Sequence, residues 1–269
     1  MTGSVRVESD GPVCCITLDR PGHRNAVDPE TADALRAAFE SFEAAPDAKV
    51  AVLHGAGGTF CAGADLKAFA AGASYRIAPD GPGPLGPTRL ALTKPTIAAV
   101  AGHAVAGGLE LALMCDLRVA DETAIFGVFC RRWGVPLIDG GTWRLPRVIG
   151  LSRALDLILT GRAVGSQEAF VMGLANRLVP AGLALPAALS LAHDLARLPA
   201  ACLRADLRSA HENFGADADA AFAREVQNAA GVLEEARAGA GRFSAGAGRH
   251  GKPETPPGET TRGGGPNPA

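Results

Sequence analysis

KPTIAAVAGHAVAGGLELALMCD, residues 94–116, is the stretch from which the rest of the chain is read. Residues 96–101 form a short apolar run directly after Pro95, as a buried strand does. Residues 109–114 are apolar except for Glu110 and have the character of a buried helix. Between them, residues 102–108 are nearly all small. A strand that turns through glycines into a helix leaves backbone N–H groups without intrahelical partners, aimed at whatever lies above the turn. Such a turn suits an anion, or an oxygen that is gaining negative charge. Glu110 falls within one turn of that point, either as an acid serving a site or as a complement to the helix dipole.

The same pattern occurs once more upstream. Residues 50–54 make an apolar strand, and Phe60-Cys61-Ala62-Gly63-Ala64-Asp65-Leu66 again places small residues between a strand and a helix, with Asp65 as a helix cap. Two strand–turn–helix units side by side in a parallel sheet can each contribute one N–H to a shared site. The glycines at 55–58 are no dinucleotide fingerprint, because Phe60 stands where the third glycine belongs and no helix opens there. That removes a nucleotide-dependent oxidoreductase.

Nearer the N-terminus, residues 4–7 and 13–18 flank Asp10-Gly11 as a hairpin. A polar loop follows over 19–25. Asp28 as cap and Pro29 at the first position open a helix that runs to about residue 45 and stops at Pro46. Residues 70–93 hold too much glycine and proline for a regular element, and loops of that length are functional or disordered. Downstream, strands are expected at 117–120 and 124–126, then a loop and a short helix over 127–150. Helices follow at 152–160 and 166–172, a strand at 175–179, and helices at 185–198, 200–214 and 217–238. From Ser244 onward no large apolar residue remains. The expected organisation is a core over 1–198, a helical region over 199–243 and a disordered Gly/Pro-rich tail over 244–269.

A 269-residue chain with 47% hydrophobic residues has ample material for a packed core. Its net charge of −2, with both signs interspersed, gives no argument for nucleic acid or membrane partners. No run approaches 18 apolar residues, and the N-terminus lacks the apolar segment of a signal peptide. The six cysteines are scattered without a C-x-x-C pair, so a reduced, cytoplasmic protein is expected. No His/Cys/Asp grouping has metal-ligand spacing.

LDRPGHRNAVD (18–28), FCAGADL (60–66), the 94–116 stretch, GGTWRLPRVIG (140–150) and LTGR (159–162) occur in one order and spacing. On these motifs the chain resembles the enoyl-CoA hydratase/isomerase, or crotonase, family over roughly residues 5–245. The resemblance implies an α/β fold, a spiral of β–β–α turns followed by a C-terminal helical region that builds trimers, often paired as hexamers. It implies a coenzyme A thioester as substrate and partner, with no cofactor beyond it. In that family two backbone N–H groups hold the thioester oxygen and stabilise an enolate, and the matching positions here are Ala64 and Gly107. Glu110 matches a catalytic glutamate. Along the thioester pocket the resemblance places Arg24, Ala26, Ala62, Asp65, Leu66, Cys130 and Trp133, with the Arg24–Ala26 loop at the adenine end.

The chain departs from the pattern at Cys130, which stands where the family's hydratases carry a second glutamate. A thiol of ordinary pKa does not replace a carboxylate that positions and activates water. Asp139 falls near the position where dienoyl-CoA isomerases of the family place a catalytic aspartate; its other reading is the cap of a helix opening at Gly140. Cys130 beside Arg131 and Arg132 is either a nucleophile or a pocket cysteine. His103 has no partner recognisable in the sequence, and Trp133 and Trp143 either line the acyl pocket or pack. The expected activity is hydration of a 2-enoyl-CoA. The alternatives are double-bond isomerisation by Glu110 and Asp139, and, in another class, an acyl-CoA-binding homologue without catalysis.

Overall fold

In the computed structural model, which describes residues 3–247, β1 (Val5–Asp10) and β2 (Val13–Leu18) form the expected antiparallel hairpin. Helix α1 (Pro29–Ala44) starts where Asp28 accepts from the Thr31 N–H and Pro29 takes the first position. It ends on Lys94, whose buried ammonium donates to the carbonyls of Phe42 and Ala45 at 2.9 and 2.6 Å. Then come β3 (Val50–Gly55), α2 (Leu66–Ala70), β4 (Thr96–Val100), β5 (His103–Val105), α3 (Gly107–Met114), β6 (Leu117–Asp121) and β7 (Ile125–Gly127). Helices α4 (Gly141–Ile149) and α5 (Leu151–Thr160) precede β8 (Val164–Gly165), α6 (Ser166–Val171), β9 (Arg177–Val179) and α7 (Ala184–Ala196). The chain divides into two compact units after Ala200. The second holds α8 (Ala200–Asn213), α9 (Ala218–Ala230) and α10 (Leu233–Ser244).

The first unit is a spiral. One sheet has the order β1-β2-β3-β4-β6-β9 and is parallel from β2 onward. A second, shorter sheet has the order β5-β7-β8, and the isolated parallel bridges Cys61–Ala104 and Val27–Ala64 continue its pairing. Each turn of chain therefore lays one strand in the long sheet, takes one step in the short one, and returns through a helix. β2, Val27 and α1 make one turn; β3, residues 61–64 and α2 the next; β4, β5 and α3 a third; β6, β7 and α4 a fourth. This is the spiral of β–β–α turns that the resemblance implied.

Alternate residues of the long sheet enter two cores. Val50, Val52, Ile97, Ala99 and Val119 pack with Ala188, Leu191 and Ala192 of α7. Ala51, Leu53, Ala98, Val100 and Ala120 enter the larger core. A parallel sheet buried on both faces gives strands that read as unbroken apolar runs, which explains the appearance of residues 96–101.

The structure differs from the sequence reading in a few places. β5 forms inside the expected 102–108 loop because Cys61 and β7 on either side supply its backbone partners. The single helix expected over 217–238 is two, parted at Gly231. The 70–93 loop holds one 3-10 turn, Pro87–Arg89. Of the tail expected to be disordered, Ser244 still belongs to α10, and residues from 248 on lie outside the described residues. Among the described residues no helix is long and apolar enough to cross a membrane.

The first two turns are fastened by Asn25. It follows Arg24 in a second successive left-handed conformation (φ 52° and 54°) and is fully buried. Its Oδ1 accepts from the Arg20 N–H at 2.9 Å, and its Nδ2 donates to the carbonyls of Ala56 and Thr59 at 2.9 and 2.6 Å. Asn25→Ala strips these partners and is expected to lower the unfolding free energy by about 2–4 kcal/mol. Urea unfolding measures it, and a loss under about 0.5 kcal/mol would show the amide to be dispensable.

Candidate active site

The two turns expected to share a site do meet. In the Val27–Ala64 bridge, Val27 donates to the Gly63 carbonyl at 2.8 Å and Asp65 donates to the Val27 carbonyl at 2.9 Å. The Ala64 N–H is thereby turned to the opposite side. Gly63 has φ 91°, and a Cβ there would lie 2.8 Å from the Gly107 nitrogen. A Cβ on Gly107 would in turn lie 3.5 Å from the Ala64 nitrogen, so the two amides are neighbours. Ala106, at the N-cap of α3, has φ 55° and ψ −125°, a conformation normally left to glycine and costing about 1–3 kcal/mol. Its N–H donates to Gly127 and its carbonyl accepts from Leu109 and Glu110, which hold the strained turn in place. Among the described residues neither the Ala64 nor the Gly107 N–H finds an acceptor.

Glu110, in the first turn of α3, is 2% exposed. Its Oε1 accepts from the backbone N–H groups of Asp139 and Gly141 at 2.9 and 2.8 Å. Asp139 is 3% exposed, and its Oδ1 accepts from the Leu85 N–H at 3.0 Å and from the Thr88 hydroxyl. The Asp139 side chain does not cap α4, which opens at Gly140 without a side-chain cap. It pins the 70–93 loop instead. Glu110 Oε2 and Asp139 Oδ2 have no protein partner among the described residues, yet neither is sealed from solvent. Both residues line one cavity of about 1020 Å³. Burial, and then the charge of Asp139, push the Glu110 carboxyl up to about 7 against the pull of its two N–H donors. Burial raises Asp139 as well, opposed by its Thr88 and Leu85 donors and by Arg89 and Arg144. Arg144 spans the two segments, donating to the carbonyls of Asp139 and Thr88 at 3.1 and 2.7 Å.

The same cavity is lined by Ala64 and Gly107, and by Arg24, Ala26, Ala62, Asp65, Leu66, Cys130 and Trp133, the positions that the resemblance places along the thioester. Asp65 also caps α2, as expected, and is paired to Arg20 at 3.3 Å. Cys130 is buried; its thiol is pushed up by desolvation and next by the charge of Glu110, so it is a neutral wall group. His103 lines the cavity, its ring in a T-shaped contact with that of Phe129 at 6.5 Å between centroids. Trp143 does not reach it. That ring lies on the outer face of α4, half exposed, under the Arg147 guanidinium at 4.4 Å. Tyr75, Leu85 and Thr88 were missed because they lie in the 70–93 loop, whose glycines and prolines carry no periodicity to fix where its side chains go. Among the described residues no group of three or more His, Cys, Asp or Glu side chains is gathered to hold a metal ion.

Two unpaired backbone donors and a buried carboxylate with one open oxygen, facing one cavity, are equipped to stabilise an oxyanion beside a proton-transfer group. Known proteins with similar chains bear on what that site serves. The enoyl-CoA hydratase/isomerase family model matches residues 8–244. The chain is 38% identical over 231 residues to the enoyl-CoA hydratase EchA19 of Mycobacterium tuberculosis, covering 82% of this chain and 85% of that one. It is 41% identical over 201 residues to the carnitinyl-CoA dehydratase of Salmonella arizonae, covering 72% and 75%. The crystal structure of the enoyl-CoA hydratase EchA1 from Mycobacterium marinum superposes with a TM-score of 0.85 at 36% identity, over 90% of this chain and 96% of that one. The chain belongs to the enoyl-CoA hydratase/isomerase family.

The raised pKa of Glu110 carries a stability cost. Ionising this carboxyl is harder in the fold than in the unfolded chain, so the penalty is absent below about pH 4 and complete above about pH 7. Glu110→Gln keeps an oxygen for both N–H donors and removes the penalty. It is expected to stabilise the protein at pH 8 by on the order of 3 kcal/mol and to have little effect at pH 4. Thermal unfolding at the two pH values measures this; equal effects at both would contradict the assignment.

Proposed function

We propose that the protein adds water across the double bond of a 2-enoyl thioester of coenzyme A, with the thioester oxygen held between the N–H groups of Ala64 and Gly107. The observation that carries this reading is the open oxygen of Glu110 in the cavity onto which both free donors abut. As the water oxygen bonds to the β-carbon, Glu110 takes its proton and the π electrons move onto the thioester oxygen as an enolate. The two N–H donors stabilise that charge, each by about 2.7–4 kcal/mol on the scale measured for other oxyanion holes. The enolate then takes a proton at the α-carbon from the carboxyl so formed. A carboxyl poised near 7 suits a group that both accepts and returns a proton at neutral pH. Arg24 at the cavity mouth is placed for a phosphate of the nucleotide end, while Leu66 and Trp133 offer apolar surface to the rest of the thioester.

A second reading is favoured by one observation, the open Oδ2 of Asp139 in a cavity where Cys130 is neutral. With an open oxygen on each, Glu110 and Asp139 can take a proton from one carbon and deliver another two carbons away, moving the double bond with no net change in atoms. Two further features belong to the proposal. The exposed Phe222, Val226, Leu233 and Phe243 of the second unit support a homotrimer or homohexamer. Six free cysteines support a reducing, cytoplasmic setting.

With purified protein, loss of the conjugated enoyl-thioester absorbance is the expected result, and Glu110→Gln is expected to reduce the rate by about 10²–10⁴-fold. Asp139→Asn keeps an oxygen for Leu85 and Thr88 and separates the two reactions: hydration through Glu110 survives it, and isomerisation of a 3-enoyl thioester does not. Absence of turnover with every chain length, together with no deuterium exchange at the α-carbon, would leave only an acyl-CoA-binding protein.

A further inference from the structure

The 70–93 loop is irregular in backbone yet firmly tied down. Arg89 donates to the carbonyls of Ala78 and Ile138 at 2.7 and 3.1 Å, and Asp139 holds Leu85 and Thr88. Two of its residues arrive at the two oxyanion donors. At one, the Leu85 side chain lies against Gly107, where a Cβ would come within 2.2 Å of it. At the other, Tyr75, the chain's one tyrosine, sends its hydroxyl into the bridge that orients Ala64. That hydroxyl donates to the Val27 carbonyl at 2.8 Å and accepts from the Asp65 N–H at 3.0 Å. These are the two groups that pair with each other across the bridge at 2.9 Å. The Ala64 N–H shares its peptide plane with the Gly63 carbonyl, which the same bridge holds through the Val27 N–H at 2.8 Å, so it can swing only if the bridge opens.

We propose that Tyr75 is a positioning residue for the oxyanion hole, its hydroxyl clamping the Val27–Asp65 pair and so fixing the direction of the Ala64 N–H. The inference rests on reading Ala64 and Gly107 as the thioester-oxygen donors. Several features support it. Both capacities of the hydroxyl are used at ordinary distances. Burial pushes the phenol up to about 12, so it stays protonated and keeps donating to Val27 throughout the neutral range. The ring is anchored independently, tilted on Phe69 with centroids 6.1 Å apart, so the hydroxyl is delivered by a packed side chain. A neutral donor held this way adds no charge to the site. Its contribution is direction, which matters most as the thioester oxygen becomes an oxyanion.

Tyr75→Phe removes the hydroxyl and retains the ring. A conjugated arylacryloyl-CoA serves as probe, because donors on its thioester oxygen polarise the chromophore and shift its absorbance to longer wavelength. The expected result is a clear red shift on the parent protein, a diminished one on Tyr75→Phe, and a fall in kcat of roughly tenfold with KM little changed, as when an interaction is lost chiefly in the transition state. Thermal unfolding and circular dichroism accompany the measurement to establish that the variant is folded. A parent-like red shift and kcat in the variant, with only a lower melting temperature, would assign Tyr75 to stability alone and overturn the proposal. Absence of any red shift on the parent protein would remove the oxyanion reading itself, and the role of Tyr75 with it.

Discussion

The carbonyl oxygen of Cys61 stands where a Cβ of Gly108 would be, 2.0 Å away. That contact between the second and third turns of the spiral is the constraint on which the site depends. No side chain fits there, and the turns lie backbone against backbone only because one residue has none. The same closeness puts Gly63 against Gly107, and hence the N–H of Ala64 beside that of Gly107. Parallel pairing between Cys61 and Ala104 holds the turns at this spacing. The proposed oxyanion hole, made of backbone groups from two separate turns, is therefore a property of how the turns stack, and the small residues of the two loops are its steric precondition.

Helix α3 is set in this contact with all of its residues buried. Its two ends are treated differently. At the C-terminus the buried Arg118 donates to the Cys115 carbonyl at 2.7 Å and also to Leu174, closing off the last turn. At the N-terminus the turn is left open, with the Gly107 N–H free and Glu110 one turn along. A carboxylate there gains from the helix dipole and from two N–H donors. Even so, burial and Asp139 outweigh them and push it up to about 7. Desolvation wins over three favourable interactions, so the fold is spending stability at this residue, as is common where a proton must move.

The fold and the centre of the site were legible because both are written in residue types with a single structural meaning. Asp28-Pro29 opens α1, the glycine turns mark the spiral contacts, and the apolar runs mark a sheet covered on both faces. The loop was not legible. Tyr75, Leu85 and Thr88 act through single contacts made across the chain, and no local pattern announces them. Asp139 is intermediate: the resemblance points to its position, but in the sequence a helix cap is the simpler reading. Only the geometry shows its carboxylate turned to Leu85 and Thr88. Trp143 shows the converse, a large apolar residue beside a site motif that faces outward over Arg147.

A carboxylate at position 130, where the resemblance expects one, would change the electrostatics of the cavity. Three buried carboxylates around one cavity would repel one another and raise each other's pKa. With a neutral thiol at 130, the acids on the cavity are Asp65, which is paired to Arg20, and Glu110 and Asp139, these two each with one oxygen fixed by two donors and the other open. Each is thereby oriented without being neutralised. Asp139 also carries the loop that meets both oxyanion donors, through Leu85 at Gly107 and through Tyr75 at the bridge of Ala64. A change that removes Oδ1 from position 139 thus bears on proton transfer and on the loop at the two donors together, which constrains that position more tightly than either role alone.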